Sequence, residues 1–190
     1  MKPPRPKLAL RPGGRADRGF VRELAGRVFA DLGEYDRMIP EWLGGPGVRC
    51  RVALEDGERV GFAVICLARL PRSTELAVDL MAIAVVPEAQ GAGLGRWLLE
   101  LVIEEAEELA RTTDLPVTQV TLTVADVNDR ARRLFESCGF RPAPGPPGTY
   151  PAGQSAVKMA LPLPRADVAR ACSTAPVARR SSRRSGTVAS

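Results

Sequence analysis

The chain of 190 residues contains no histidine. That absence excludes Ser-His-Asp and Cys-His catalytic arrangements and imidazole-based metal sites in one step. A general base must then be a carboxylate, a tyrosine, or a water held by either. Aromatic residues are scarce at 5%, and Tyr35 and Tyr150 are the only phenols. The four cysteines, Cys50, Cys66, Cys138 and Cys172, form no Cys-x-x-Cys pair and no metal-type spacing. Three of them fall in apolar or helical contexts, where a buried free thiol is the ordinary outcome. No metal site is therefore expected. No apolar run approaches the length of a transmembrane helix. The start, MKPPRPKLALRPGG, has too short an apolar stretch for a signal peptide. A cytosolic protein without a membrane partner is the expectation.

What is present is a balanced, soluble composition, 45% hydrophobic and 26% charged. The net charge of +5 sits at one end. Six Arg and one Asp lie from Arg165 onward, which leaves the rest of the chain neutral. Residues 1–163 are read as one domain, long enough to bury a core. Residues 164–190, rich in Ala, Ser and Arg without apolar periodicity, are read as a disordered basic tail. Its RRSSRR stretch is an electrostatic anchor, a phosphorylation site or a solvated extension; a nucleic-acid partner is not expected.

Apolar spacing orders the elements. A short strand falls at 7–11, and Val21, Leu24, Ala25, Val28, Phe29 and Leu32 recur at helical spacing after Asp17. A Gly- and Pro-punctuated segment with Tyr35 and Trp42 follows, and then two β-rich runs flank the turn Glu55-Asp56-Gly57. A strand over 76–86 ends at Pro87, and a long helix starting near Leu94 is broken at Leu115-Pro116. VTQVTLTV is a strand, NDRARRLFESCGF a helix capped by Gly139, RPAPGPPG a loop, and 155–163 the last strand. The order predicts an α/β domain with a mixed sheet.

The unusual stretch is Gln90-Gly91-Ala92-Gly93-Leu94-Gly95, between an apolar strand and the long helix. A dinucleotide fingerprint needs a third glycine at position 96, which is Arg96, and an acidic strand end about twenty residues later. A Walker loop needs Gly-Lys-Ser/Thr, which is absent. What remains is a helix N-terminus whose free N–H groups suit phosphate, with glycines that let it approach. A turn whose glycines simply relieve backbone strain is the alternative.

Gln90, Gly93 and Gly95 meet the pattern Q/R-x-x-G-x-G/A after IAVVP, and Asn128, Ala131, Leu134, Phe135, Gly139 and Phe140 recur at matching intervals downstream. Together they resemble the GNAT superfamily of acyl-CoA-dependent N-acyltransferases over about residues 7–163. The ending YPAGQSAVKMALPL is loosely similar to the branch that acetylates ribosomal-protein N-termini. That branch has a doubled Tyr and an acidic pair where this chain has Tyr150-Pro151 and Gly153-Gln154.

The resemblance implies a splayed mixed sheet flanked by helices. It implies acetyl-CoA as co-substrate and an amine acceptor on a small molecule or protein, with no metal. Ile83, Ala84 and Val85 would pair with the pantetheine arm. Gln90, Gly91, Ala92, Gly93, Leu94, Gly95 and Arg96 would hold the pyrophosphate. Asn128 would contact the cofactor arm, a role compatible with helix N-capping. The Val85 N–H would suit the oxyanion. The family's Glu base falls on Asp79, which is otherwise a charge at a strand edge facing solvent; Glu75 is a second candidate. The branch's Glu on the later strand is Thr123 here, and the usual acid Tyr is Phe135. Tyr150 or Tyr35 would supply the proton, or the thiolate would leave unaided, with a pKa near 8.5. The segment FADLGEYDRMIPEWLGGPG either shapes the acceptor site or packs helices. Members of the family often dimerise. The expected activity is direct acetyl transfer in a ternary complex; a sensor that binds acyl-CoA without turnover is the rival.

Overall fold

Period-2 apolar patterning gives this chain one sheet, and 3.6-period patterning gives the helices that cover it. The computed structural model describes residues 8–164. The basic stretch from Arg165 on, with Cys172, lies outside the described residues.

Strand β1 (Leu8–Pro12) leads into α1 (Arg18–Val28) and α2 (Tyr35–Trp42). The antiparallel strands β2 (Val48–Glu55) and β3 (Glu58–Arg69) follow, then β4 (Leu76–Val85) and the long α3 (Leu94–Thr112). β5 (Val117–Ala125), α4 (Asp129–Ser137), β6 (Arg141–Pro142), β7 (Gly148–Thr149) and β8 (Ser155–Pro162) complete the order. The sheet runs β1-β2-β3-β4-β5-β8-β6, with β7 also on β8. Only β4 and β5 pair in parallel, as a strand–helix–strand crossover through α3 requires.

The segment around Tyr35 and Trp42 is a second helix, α2, with Pro40 inside it. Two details depart from the sequence reading. The Pro- and Gly-rich RPAPGPPG region is not wholly loop, because Arg141–Pro142 and Gly148–Thr149 both pair with β8. Pro142 is tolerated because β6 is the sheet's last strand and has no second neighbour to donate to. Asp79 is not at a strand edge: it pairs with Cys66 of β3 on one side and Thr121 of β5 on the other.

A bulge shapes the centre. The register of β3 on β4 shifts between Val64 and Ile65, so that Ile65 pairs with Leu80 and Val64 with Ala82, leaving Met81 extra. One extra residue reverses which face each side chain takes. Val78 and Leu80 accordingly join the core under α3, with Leu99, Val102 and Ala106. Beyond the bulge, Ala82 and Ala84 join the opposite core under α1 and α2, with Val21, Leu24 and Ile39. Phe62, Leu98 and Met159 are among the fully buried side chains, each contributing about 1.5–3 kcal/mol by leaving water.

Asp17 locks the sheet's edge to the first helix. It is 1% exposed and accepts two bonds from the Arg11 guanidinium (2.6 and 2.9 Å), one from Arg59 Nε (2.9 Å) and one from the Gly14 N–H (3.0 Å). These bonds, Arg11's foremost, hold its carboxyl well below the usual carboxylate range despite burial. A depressed folded-state pKa contributes stability that is present above the unfolded value of about 3.9 and fades as pH falls below it. Asp17→Asn is expected to lower the unfolding free energy by about 2–3 kcal/mol at neutral pH. In urea titrations the gap from wild type should shrink steadily below about pH 4. A gap unchanged at acid pH would contradict this assignment.

Candidate active site

The ladder between β4 and β5 runs from Leu76 paired with Val117 to Leu80 paired with Leu122, and goes no further. β4 meanwhile stays on β3 as far as Val85 opposite Gly61. β5 stays on β8 as far as Ala125 opposite Ala156. The two central strands therefore part just past the bulge. Just past the end of β4, the Val86 N–H bonds the Val60 carbonyl at 2.9 Å, and a Cβ at Gly61 would lie 2.7 Å from the Ala84 oxygen. Alternation along the strand then turns the backbone groups of Ile83 and Val85 toward the gap. The Val85 carbonyl takes a bond from the Gln90 side-chain amide, 2.9 Å.

A cavity of about 920 Å³ fills this gap and continues to both faces of the sheet. At one end lie Gln90, Gly91, Gly93, Gly95, Arg96, Asn128 and Arg130. Gly91 and Gly93 have φ of +88° and +89°, a backbone that residues with a Cβ adopt only under strain. A Cβ at either would touch nothing within 4 Å. Gly95 is different: it is helical, and its Cβ would meet only Leu134 at an ordinary 3.5 Å. Turn geometry thus accounts for two of the three glycines and leaves the third without a local need. The first bond of α3 runs from the Trp97 N–H to the Gly93 carbonyl, 3.0 Å. The amides of Leu94, Gly95 and Arg96 precede it and have no partner within the helix. Their end of the helix carries its positive dipole.

Not every residue of this loop faces the cavity. The Leu94 side chain is buried with Val60, Val85 and Leu98, and neither it nor Ala92 lines the cavity. The Arg96 guanidinium reaches Ser137 Oγ (2.6 Å), Cys138 Sγ (3.4 Å) and Glu100 (3.7 Å). Asn128 caps α4, its Oδ1 accepting from the Ala131 N–H at 3.0 Å. Arg130, which the motif did not single out, donates to Gln90 Oε1 at 2.8 Å. Gln90 therefore bridges the rim from β4 to α4. The one sequence hint of Arg130 was its place just after the N-cap.

The other end is apolar and aromatic. Phe29, Tyr35, Ile39 and Trp42 line it together with Tyr150. Tyr35 contacts Phe29, Trp42 and Tyr150 with ring centroids 5.9, 6.3 and 6.1 Å apart. Tyr35 and Trp42 thus pack against neighbouring rings and also line the cavity. Half-buried Asp79 also lines the cavity. Its Oδ1 accepts from the buried Thr121 hydroxyl at 2.5 Å. Glu75 is bonded to Thr118 Oγ1 (3.3 Å) and does not line the cavity. Tyr150 donates its hydroxyl to the Thr123 carbonyl, 3.0 Å. Burial, and then Tyr35, push its phenol up to about 12. Phe135, 5% exposed, packs edge-on to Phe140 and lines the cavity without a hydroxyl. Cys50, Cys66 and Cys138 do not line it. Burial pushes the Cys50 thiol up to about 11, which makes it a poor nucleophile.

A splayed sheet with a glycine loop at a helix start invites comparison with known proteins. The family described as Acetyltransferase (GNAT) matches residues 20–140. The chain belongs to that family. A ribosomal protein bS18-alanine N-acetyltransferase of Salmonella typhimurium is 38% identical over 96 residues, 47% of this chain and 61% of that protein. A mycothiol acetyltransferase of Acidimicrobium ferrooxidans is 33% identical over 146 residues, 71% of this chain and 43% of that one. This chain thus spans less than two thirds of either relative. The crystal structure of the Escherichia coli ribosomal-protein-S18-alanine N-acetyltransferase superposes with a TM-score of 0.65 at 26% identity, covering 83% of this chain and 94% of that one. Among the described residues of this GNAT chain, no group of three or more Cys, Asp or Glu side chains could hold a metal ion. Nor is any described helix long and apolar enough to cross a membrane.

The three glycines of the GNAT loop separate in stability. Gly91→Ala and Gly93→Ala should each cost about 1 kcal/mol, from left-handed strain. Gly95→Ala should be neutral or stabilising by up to about 1 kcal/mol, as alanine gains helix propensity. Chemical denaturation of the three variants checks this; equal losses at all three would contradict the division.

Proposed function

We propose that the chain is an acetyl-CoA-dependent N-acetyltransferase of the cytosol, moving an acetyl group directly to an amine in a ternary complex. Its acyltransferase unit is residues 1–163. The observation that carries this reading is the continuity of the cavity from the glycine loop, through the gap between β4 and β5, to the aromatic wall. Two substrates entering from opposite faces of the sheet would meet at that gap.

The residues present fit the cofactor. Open space over Gly91 and Gly93 and the free amides ahead of Trp97 suit a pyrophosphate. The gap-facing backbone of Ile83 and Val85, where Gln90 holds only the Val85 carbonyl, offers a strand edge to an amide-bearing arm. Bound acetyl-CoA supplies a thioester, an acyl carbon open to attack by a neutral amine. The chain's own groups do the rest. Asp79, fixed by Thr121, takes the amine's proton directly or through a water. The Val85 N–H is the donor for the oxyanion.

Tyr150 has a narrower role than proton donor. With its pKa pushed up to about 12, it is a weaker acid than a thiol of about 8.5 and does not protonate the leaving thiolate at equilibrium. It orients by hydrogen bonding, and departure as the thiolate covers the absence of a hydroxyl at Phe135.

Asp79→Asn is expected to lower kcat about a hundredfold, while calorimetry gives an unchanged Kd for acetyl-CoA. Tyr150→Phe should lower kcat by less than about tenfold, with no change in the pH profile between roughly pH 7 and 10. Release of the CoA thiol across a panel of amines reads both. Wild-type turnover in Asp79→Asn would remove Asp79 as the base. Binding of acetyl-CoA with no turnover for any amine would instead identify a sensor.

A further inference from the structure

Two distant segments meet over the aromatic end of the cavity. The Ala152 N–H donates to the Leu32 carbonyl at 3.2 Å. The Gln154 side-chain amide donates to the Asp31 carbonyl. Pro151 lies so close to Gly33 that a Cβ there would sit 3.0 Å from the Pro151 ring. Tyr35 and Tyr150 stack edge to face beneath these contacts. The connection between α1 and α2 is thus clasped to the hairpin between β7 and β8.

The charges lining the cavity are equally one-sided. Asp79 is the single carboxylate among the described residues lining the cavity. Its arginines, Arg96 and Arg130, belong to the glycine-loop end. Resting on the acetyltransferase reading above, we infer that the acceptor is a small primary amine on an apolar or aromatic body, an arylalkylamine in chemical class.

One ammonium can be accommodated, because apolar surroundings lower an amine's pKa and Asp79 can take the proton. A second ammonium, as in a polyamine or aminoglycoside, would meet no second carboxylate among the described residues lining the cavity. An extended peptide would have to pass where the clasp crosses. A ring, by contrast, adds to the aromatic cluster of Phe29, Tyr35, Trp42 and Tyr150. In the transfer, the N–C bond forms as the C–S bond breaks. One amine proton goes to Asp79 and is passed to solvent. The thiolate leaves and takes up a proton from water.

The test compares kcat/KM of the full chain for phenethylamine, tryptamine, spermidine, kanamycin and a short peptide with a free N-terminus. Acetyl-CoA binding is measured in parallel by calorimetry. Arylalkylamines should exceed the others by at least about tenfold. Trp42→Ala should raise KM for tryptamine about tenfold, with the Kd of acetyl-CoA unchanged, and Trp42→Phe should restore most of the loss. Preference for spermidine, kanamycin or the peptide would overturn the inference while leaving the acetyltransferase reading intact. Acetyl-CoA binding with turnover of none of the five amines would overturn the inference and, with it, the acetyltransferase reading in favour of a sensor. Failure to bind acetyl-CoA would overturn both.

Discussion

An interior strand cannot leave its backbone unpaired without penalty, and β4 does so from residue 81 onward. Its ladder to β5 stops at Leu80 while its ladder to β3 runs on to Val85. Gap-facing N–H and C=O groups in such a place require partners from outside the sheet. The Gln90 amide meets one of them, the Val85 carbonyl. The same groups are what an extended, amide-bearing ligand can use, so the defect in the sheet and the opportunity for binding are one feature.

Most of the surrounding architecture follows from that opening. The bulge at Met81 reverses the faces of β4, which lets the strand serve the α3 core before it and the α1–α2 core after it. It also fixes Asp79 beside Thr121 at the last paired rungs, at the throat of the gap. α3 begins where β4 ends and presents its free amides at the gap's mouth. On the other face, α2 and the β7–β8 hairpin bring Tyr35, Trp42 and Tyr150 over the opening from positions far apart in the chain. The Asp17 cluster, away from the cavity, holds β1, β3 and the start of α1 together at the sheet's edge.

Strands and long helices were legible in the sequence because their periodicities are strong and local. The hairpin turn at Asp56-Gly57 and the Asn128 cap were legible for the same reason. The glycine loop was legible through its flanks, although only the backbone conformation separates Gly91 and Gly93, which need a positive φ, from Gly95, which does not. What the sequence could not carry was pairwise and long-range. Nothing in LMAIAVV marks where a ladder to a strand some forty residues later gives out. Asp17 reads as a helix start until Arg11 and Arg59 are brought to it. Asp79 reads as a candidate base or equally as a solvent-facing charge until β5 supplies Thr121. The short strands β6 and β7 are invisible among prolines and glycines because β8, not their own composition, makes them strands.

The measurement that tests this account most directly is amide hydrogen exchange, with and without saturating acetyl-CoA. The gap-facing amides of Ile83 and Val85, and those of Leu94, Gly95 and Arg96 at the start of α3, should slow by at least about tenfold on binding. The fully laddered amides of Val120 and Leu122 should not change. Protection confined to other parts of the chain, with Ile83 and Val85 exchanging as before, would show that the gap between β4 and β5 is not where the cofactor sits.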